Sequence, residues 1–423
     1  MEVHIMVKEI IKPSSSTPQH LKNYKLSLLD QLAPPLYIPI ILFYSSTPQT
    51  SFKEKSDPLK KSLSETLTLY YPLAGRIKNN YSIDCNDEGA SYTEAHVAGQ
   101  ISMILQDPQV EELEKLLPFN SQEMNSNEEI LGVQVNHFDC GGMAISICIW
   151  HQLADGSAAA SFATTWAAVA SSEEATTNIE GIIYDCTSIF PPQKAQGFLW
   201  NMFPKKDELS NTMIKSFVFH RSELAALREK VGNRSSLGCL SRPSRVETVA
   251  GVIWGAIIEI MNVNTALIAV NLRKRLIPPL PELSLGNIYH VENCLENENR
   301  VDYNNLAGKI HESIGIVKDD YVRKIHEGGK YFEFLKQVAE NPNLMKVAFG
   351  FSSWCRFPFY EIDFGWEKPI WVATTLKLNQ GAILIDTKDG EGIEAWVTLS
   401  KEDMAKFQQI PYICSYASFN PTT

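Results

Sequence analysis

Apolar residues along the chain recur with two periods, one suited to strands and one to helices, and the two kinds of segment alternate. Residues 36–44, LYIPIILFY, form a continuous apolar run opened by the prolines of APP, which predicts a buried strand. Leu59, Leu63, Leu67 and Tyr70 then recur at helical spacing, and that helix must stop before Pro72. SIDCNDEGASYTEAHV predicts two short strands around a turn at 86–89. EEILGVQVNHFDCGGMAISICIWHQLADG predicts two strands joined at 139–142, the second ending near His151. The Ala-rich SAAASFATTWAAVA that follows predicts a helix.

From 171 to 211 the pattern breaks into polar residues, prolines and charge, as in a linker. Beyond it the same rhythm returns. KSFVFH reads as a strand, SELAALREKVG as a helix ending at Gly232, and SRVETVAGVIWGAIIEIMN as a longer helix. TALIAVNLRKRL runs from a strand into a basic turn, 300–345 is helical with interruptions, and the tail from 349 alternates strands and turns before a last helix, KEDMAKFQQI. Strands and helices alternating on both sides of a linker predict an α/β protein with two similar lobes.

Composition narrows the class. A chain of 423 residues, 44% hydrophobic and 21% charged, is that of an ordinary globular protein with room for two or three domains of about 150 residues. The net charge of −11 argues against a nucleic-acid partner. The eight cysteines, at 85, 140, 148, 186, 239, 294, 355 and 414, include no C-x-x-C pair, so zinc ribbons and redox dithiols are not expected. The segment MEVHIMVKEIIKP lacks the apolar stretch of a secretory signal, no apolar run approaches the ~20 residues that span a bilayer, and FNPTT carries no retention or peroxisomal address. The expectation is a cytoplasmic protein with free thiols, with the sequons at Asn80 and Asn233 unused and no membrane attachment.

Phosphate-cradling and dinucleotide glycine loops, the G-x-S-x-G elbow and H-E-x-x-H are all absent. What remains is IWHQLADGSAAASF, with His151 and Asp155 four apart in an apolar, small-residue setting. From spacing alone the pair suits three roles: a buried structural pair, a catalytic base with a neighbour, or two metal ligands. The last needs a third ligand, for which His137 is the near candidate in sequence.

HQLADG and the later DFGW at 363–366 together resemble the two hallmark motifs of the BAHD family of plant acyl-CoA-dependent acyltransferases. YPLAGR at 71–76, FDCGG at 138–142, NLRKR at 271–275, LGN at 285–287 and SSWCRFPFYEIDFGW at 352–366 extend the resemblance over nearly the whole chain, in family order. IKPSSSTPQHLKNYKLSLLDQ and SIDCNDEG resemble the branch that acetylates alkaloid hydroxyls. The resemblance implies an α/β fold of two chloramphenicol-acetyltransferase-like lobes with a channel between them. It places lobes at 1–185, joined by part of 363–387, and at 212–423, with a crossover at 186–211.

It implies His151 as general base, and Asp155 turned away from the site to pair with Arg273. Asp363, Phe364, Gly365 and Trp366 would hold a loop at the lobe interface. Ser244, Arg245 and Asn287 would bind CoA, and Tyr37 and Ile38 would line the acceptor pocket. The co-substrate would be acyl-CoA, acetyl-CoA above others, with no permanently bound cofactor and no metal. The acceptor would be a small hydroxylated metabolite such as an alkaloid, and the protein a monomer. The same scaffold also suits an N-acyltransferase, a donor with a longer, malonyl or aromatic acyl group, an acylsugar-type acceptor, or a relative that binds without turnover. One departure stands out: Glu367 occupies the family's fifth, glycine position. If a left-handed backbone is needed there, Glu costs ~1–2 kcal/mol and Glu367→Gly should be neutral or mildly stabilising.

Overall fold

The computed structural model describes residues 1–46, 52–79, 81–122, 128–172, 182–193, 211–232, 243–297, 301–327 and 348–419. The sequons at Asn80 and Asn233, Cys239, residues 194–210 of the predicted crossover and 328–345 of the interrupted helical stretch lie outside them.

Two mixed sheets organise the chain. The first has six strands in the order Glu2–Ile11, Ala90–Ala98, Leu131–Phe138, Met143–Trp150, Tyr37–Tyr44 and Trp371–Ala373. The second has seven: Tyr289–Leu295, Thr265–Asn271, Ala348–Ser353, Gly381–Asp386, Ile393–Ser400, Thr212–Phe219 and Ser418–Phe419. A small third sheet joins Asn23–Lys25, Ser82–Asp84 and Arg76–Asn79.

The predicted strand at 36–44 is Tyr37–Tyr44, buried along its whole length. It is the fifth of the six strands, paired antiparallel with Met143–Trp150 and, through Ile41–Phe43, with the edge strand Trp371–Ala373. Pro39 cannot donate to a ladder, and it sits beyond the end of the short Trp371–Ala373 partner, where its carbonyl accepts from Thr374 Oγ1 at 2.8 Å. Leu131–Phe138 and Met143–Trp150 form the predicted hairpin, closed at 139–142 with Gly141 at φ +80°.

The helix Gly156–Ser171 packs on Phe52–Leu69. Alanines bring the two close, and Trp166 Nε1 donates to Leu59 O and Ser62 Oγ at 3.2 and 3.1 Å. Burying the fully enclosed Phe162 here contributes about 1.5–3 kcal/mol. In the second lobe, Arg245–Met261 is buried along most of its length beside Tyr303–Ile316. Gly255 and Gly251 sit against Tyr303 and Ala307, where a Cβ would fall within 2.8 Å of the neighbouring atoms.

Two segments take places that the sequence pattern did not specify. The two strands expected around 86–89 are present, and they belong to different sheets. Ser82–Asp84 belongs to the small sheet, while Ala90–Ala98 pairs with Glu2–Ile11 and runs parallel to Leu131–Phe138. The left-handed residues Asp87 (φ +61°) and Gly89 (φ +95°) redirect the chain between sheets. The first residues, read only as a segment without a signal, form the ten-residue edge strand Glu2–Ile11.

The lobes interlock. Leu28, Leu29, Cys186 and Phe190 pack into the core built mainly from the second half of the chain. Trp354, Phe359, Ile362, Phe364 and Trp371 pack into the core built mainly from the first. No helix among the described residues is long and apolar enough to cross a membrane.

Candidate active site

His151 is the first residue after the Met143–Trp150 strand. Its amide donates to Leu36 O at 2.9 Å, tying the turn to the residue just before Tyr37–Tyr44. The turn ends at Asp155, the N-cap of Gly156–Ser171, whose Oδ1 accepts from Ala158 N at 2.8 Å. The motif therefore spans a strand end and a helix start, both fixed by main-chain bonds.

The two side chains point to different partners. Asp155 meets Arg273 in a bidentate pair, Nη1 to Oδ2 at 2.8 Å and Nη2 to Oδ1 at 3.0 Å, and Asp155 Oδ2 also accepts from Ile288 N at 2.9 Å. The Arg273 side chain is 0% exposed, and its Nη2 also donates to Ser284 O and Gly286 O at 3.0 and 3.2 Å. Both Asp155 oxygens are thus committed, and the carboxylate does not orient the imidazole.

His151 instead meets Asn287, with Nδ1 3.0 Å from Asn287 Oδ1. Asn287 Nδ2 donates to His151 O at 2.6 Å and to Asp30 Oδ1 at 3.0 Å. Both of those oxygens only accept, so the amide is oriented with Oδ1 towards the ring, and Nδ1 must be the protonated nitrogen. Nε2 then keeps its lone pair. Burial pushes the His151 imidazole below its ordinary value, with hydrogen bonding to its own main chain, the Asp155 charge and the Asn287 contact opposing part of that. That favours the neutral ring, whose Nε2 can take a proton.

Asn287, expected from the resemblance to bind CoA, lies beside His151. It is fully buried, and its amide is taken up by His151 and Asp30. Asp30, which the sequence reading missed, accepts from Asn287 N (2.7 Å), Asn287 Nδ2, Ser27 N (2.9 Å) and Ser27 Oγ (2.7 Å). The local signal was the capping box S-x-x-D opening Leu28–Leu32. Burial pushes its carboxyl up to about 6, against those hydrogen bonds.

The other expected site residues have partners of their own. Ser244 caps Arg245–Met261 in a capping box with Glu247, and Arg245 is tied to Asp386 Oδ1 at 3.0 Å and to Gly392 O at 3.1 Å. Among the described residues neither has a hydrogen bond or ion pair to His151, Asn287 or Asp30. Tyr37 is fully buried between Phe119 and Trp150, with its hydroxyl donated to Glu129 O at 2.6 Å, so it offers no free polar group to an acceptor. Ile38, 1% exposed, pairs with Ile149.

The DFGW loop docks on the first lobe. Asp363 Oδ1 accepts from Gly365 N at 2.8 Å, Gly365 is left-handed at φ +98°, and Phe364 stacks edge-on to Trp166 at 4.8 Å. Tyr44 donates to Ile362 O at 3.0 Å and faces Phe364 and Trp366. Tyr44 is seven residues along its strand from Tyr37, the residue that pairs beside His151, which is about 23 Å at 3.3 Å per residue. Asp363 therefore lies towards the far end of this strand from His151.

Glu367 is not in the left-handed region: the described non-glycine residues there are Asp87, Glu128, Asn262 and Arg356. The strain expected at Glu367 is therefore absent, and its carboxylate accepts from Ser45. The metal reading fails on register. His137 pairs with Met143, at the opposite end of the strand from Trp150 and so about 24 Å from His151. No group of three or more His, Cys, Asp or Glu among the described residues is arranged to hold a metal ion.

A family model described as the transferase family matches residues 1–413. Limonoid 1-O-acetyltransferase of Citrus sinensis is 44% identical over 99% of this chain and 99% of its own length. Stemmadenine O-acetyltransferase of Catharanthus roseus is 36% identical over 96% of each chain. The crystal structure of vinorine synthase, an enzyme of Rauvolfia serpentina, superimposes with a TM-score of 0.84 at 32% identity, covering 99% of both chains.

Proposed function

The chain belongs to the BAHD transferase family and is an acyltransferase, and on that premise we propose that it moves an acetyl group from acetyl-CoA to a hydroxyl of a rigid, polycyclic plant metabolite. The observation that carries the mechanism is the His151–Asn287 contact, which puts the proton on Nδ1 and the lone pair on Nε2. A thioester is already activated, so the enzyme must deprotonate the acceptor, steady the oxyanion and align the two substrates.

His151 Nε2 takes the acceptor's hydroxyl proton as the oxygen bonds to the thioester carbonyl carbon. The tetrahedral adduct then expels the CoA thiolate, which takes the same proton back from Nε2. Products are the acetyl ester and CoA-SH, and the imidazole returns to neutral. Base catalysis of this kind contributes about 10²–10⁴ in rate. Because burial lowers the imidazole's affinity for protons, activity should persist below the ordinary histidine range and fall only as the ring protonates.

Relatives named for limonoid O-acetylation reach 44–41% identity, while those named for alkaloid chemistry reach 36–35%. That ordering favours an oxygenated terpenoid skeleton of limonoid type over an alkaloid. The test offers acetyl-, malonyl- and coumaroyl-CoA against hydroxylated limonoids, hydroxylated alkaloids, acylsugars and amines, scored by kcat/KM. The reading expects acetyl-CoA with a limonoid hydroxyl to lead. A tenfold preference for a longer donor, an amine or an alkaloid would overturn the corresponding part. His151→Ala should lose at least about 100-fold in kcat with the fold intact; retention within tenfold would remove the base.

A further inference from the structure

Asp30 has no place in the reaction as written, yet it is fully buried and directed at the residue that holds the base. Its carboxylate takes four hydrogen bonds: Oδ2 from Ser27 N and Ser27 Oγ, and Oδ1 from Asn287 N and Asn287 Nδ2. The Ser27 bonds close the capping box of a five-residue helix, which pins the carboxylate to the first part of the chain. The Asn287 bonds reach across 257 positions of sequence to the LGN segment.

Consider the Asn287 amide turned over. Oδ1 would then face Asp30 Oδ1 and His151 O, at the 3.0 and 2.6 Å now spanned by Nδ2. Both encounters would set acceptor against acceptor. Nδ2 would face the ring nitrogen, which could meet it only by accepting, so the imidazole proton would move to Nε2. In that state the reacting nitrogen has no lone pair.

We propose that Asp30 is a positioning residue for acyl transfer: by holding Asn287 Nδ2 it fixes the amide so that His151 carries its proton on Nδ1 and presents Nε2 as the base. Asp30 touches neither substrate nor the imidazole and acts through Asn287. The His151 carbonyl supplies the second acceptor for the same Nδ2, so the histidine's main chain and Asp30 hold the amide from two sides. Main-chain N–H groups at Ser27 and Asn287 supply two of the four donors to Asp30, and that part of its environment survives side-chain changes around it. The role rests on His151 being the base. Its defining observable is the tautomer of His151, which is read without turnover.

The experiment labels the histidine rings with 15N and records long-range proton–nitrogen correlations on the full chain, with His151 assigned by the signal lost in His151→Ala. Wild type should show a protonated Nδ1 and a pyridine-like Nε2. In Asp30→Asn, an amide replaces the carboxylate and no longer dictates the Asn287 orientation. His151 should shift towards the Nε2–H form, and kcat should fall about 10- to 100-fold with KM for acetyl-CoA within about threefold. An unchanged tautomer and kcat in Asp30→Asn overturns the proposal. If Asp30→Asn does not fold, the wild-type spectrum decides: a Nδ1–H ring supports the proposal, and an Nε2–H ring refutes it. Failure of the base assignment would show separately, as turnover retained in His151→Ala.

Discussion

Asp155→Ala and Arg273→Ala should each destabilise the protein severely, and the double variant should lose much less than their sum. The Arg273 side chain is 0% exposed and that of Asp155 9%, and two N–H···O bonds of 2.8 and 3.0 Å join them. Removing one partner of such a pair leaves a buried charge without its counter-charge, which costs about 3–5 kcal/mol. Asp155→Ala also strips the N-cap of Gly156–Ser171, about 1 kcal/mol more, and leaves Ile288 N without its acceptor. Arg273→Ala leaves the carboxylate two donors, Ala158 N and Ile288 N, so the aspartate variant should be the worse. A coupling of about 2–4 kcal/mol follows, because the second removal takes away the charge that the first left stranded. Chemical denaturation of the two single variants, the double variant and wild type, read by tryptophan fluorescence and circular dichroism together, measures it. Additive losses, or an arginine variant worse than the aspartate one by more than 1 kcal/mol, would refute the reasoning.

Glu394 is fully buried between Ser216 and Trp371 Nε1 (3.0 Å) and links the two large sheets; burial pushes its carboxyl up to about 7. A folded value above the unfolded one means stability from this group is complete below about pH 4.5 and is lost as pH rises through about 7, by about 3 kcal/mol in all. Thermal unfolding from pH 5 to 8 should show that decline in wild type and a flatter curve in Glu394→Gln; equal slopes would count against it. Glu367→Gly should lower stability by about 0.5–1 kcal/mol, since the backbone there is not left-handed and the Ser45 contact is lost. A gain in melting temperature would restore the strain reading.

What was legible in the sequence was what local pattern encodes. The fully buried strand Tyr37–Tyr44 and the small-residue helix Gly156–Ser171 carry their signals in consecutive residues. Glu2–Ile11 also carries a strand signal, Val3, Ile5 and Val7 at a spacing of two, on an edge strand that is largely exposed, but the segment was weighed only against a secretory signal. The two strands around 86–89 were legible, but not that they join different sheets, because a turn signal does not say which sheet receives the chain. In the site, the histidine and its neighbouring aspartate could be located, but their partners could not. His151 and Asn287 are 136 positions apart, and Asn287 and Asp30 are 257 apart, and no local periodicity reports such contacts. Ser244 and Arg245 were read by position in a motif, and the structure finds them committed to a helix cap and an ion pair.

The spacing of four between His151 and Asp155 has a physical reading that neither residue suggests alone. Asp155 accepts from the main chain of Ile288, and His151 bonds the side chain of Asn287. The motif therefore grips two consecutive residues of the opposite lobe, one by its backbone and one by its amide. Asp155 is held in place by the start of a helix, and His151 by the end of a strand, so the grip is rigid on its own side. Arg273 closes the other side by binding Asp155 together with the carbonyls of Ser284 and Gly286, which fixes the loop that delivers Asn287. The aspartate thus acts on the imidazole at one remove. It brings the second lobe's amide to the imidazole, and under the proposed base role that amide is the partner that keeps the lone pair on Nε2.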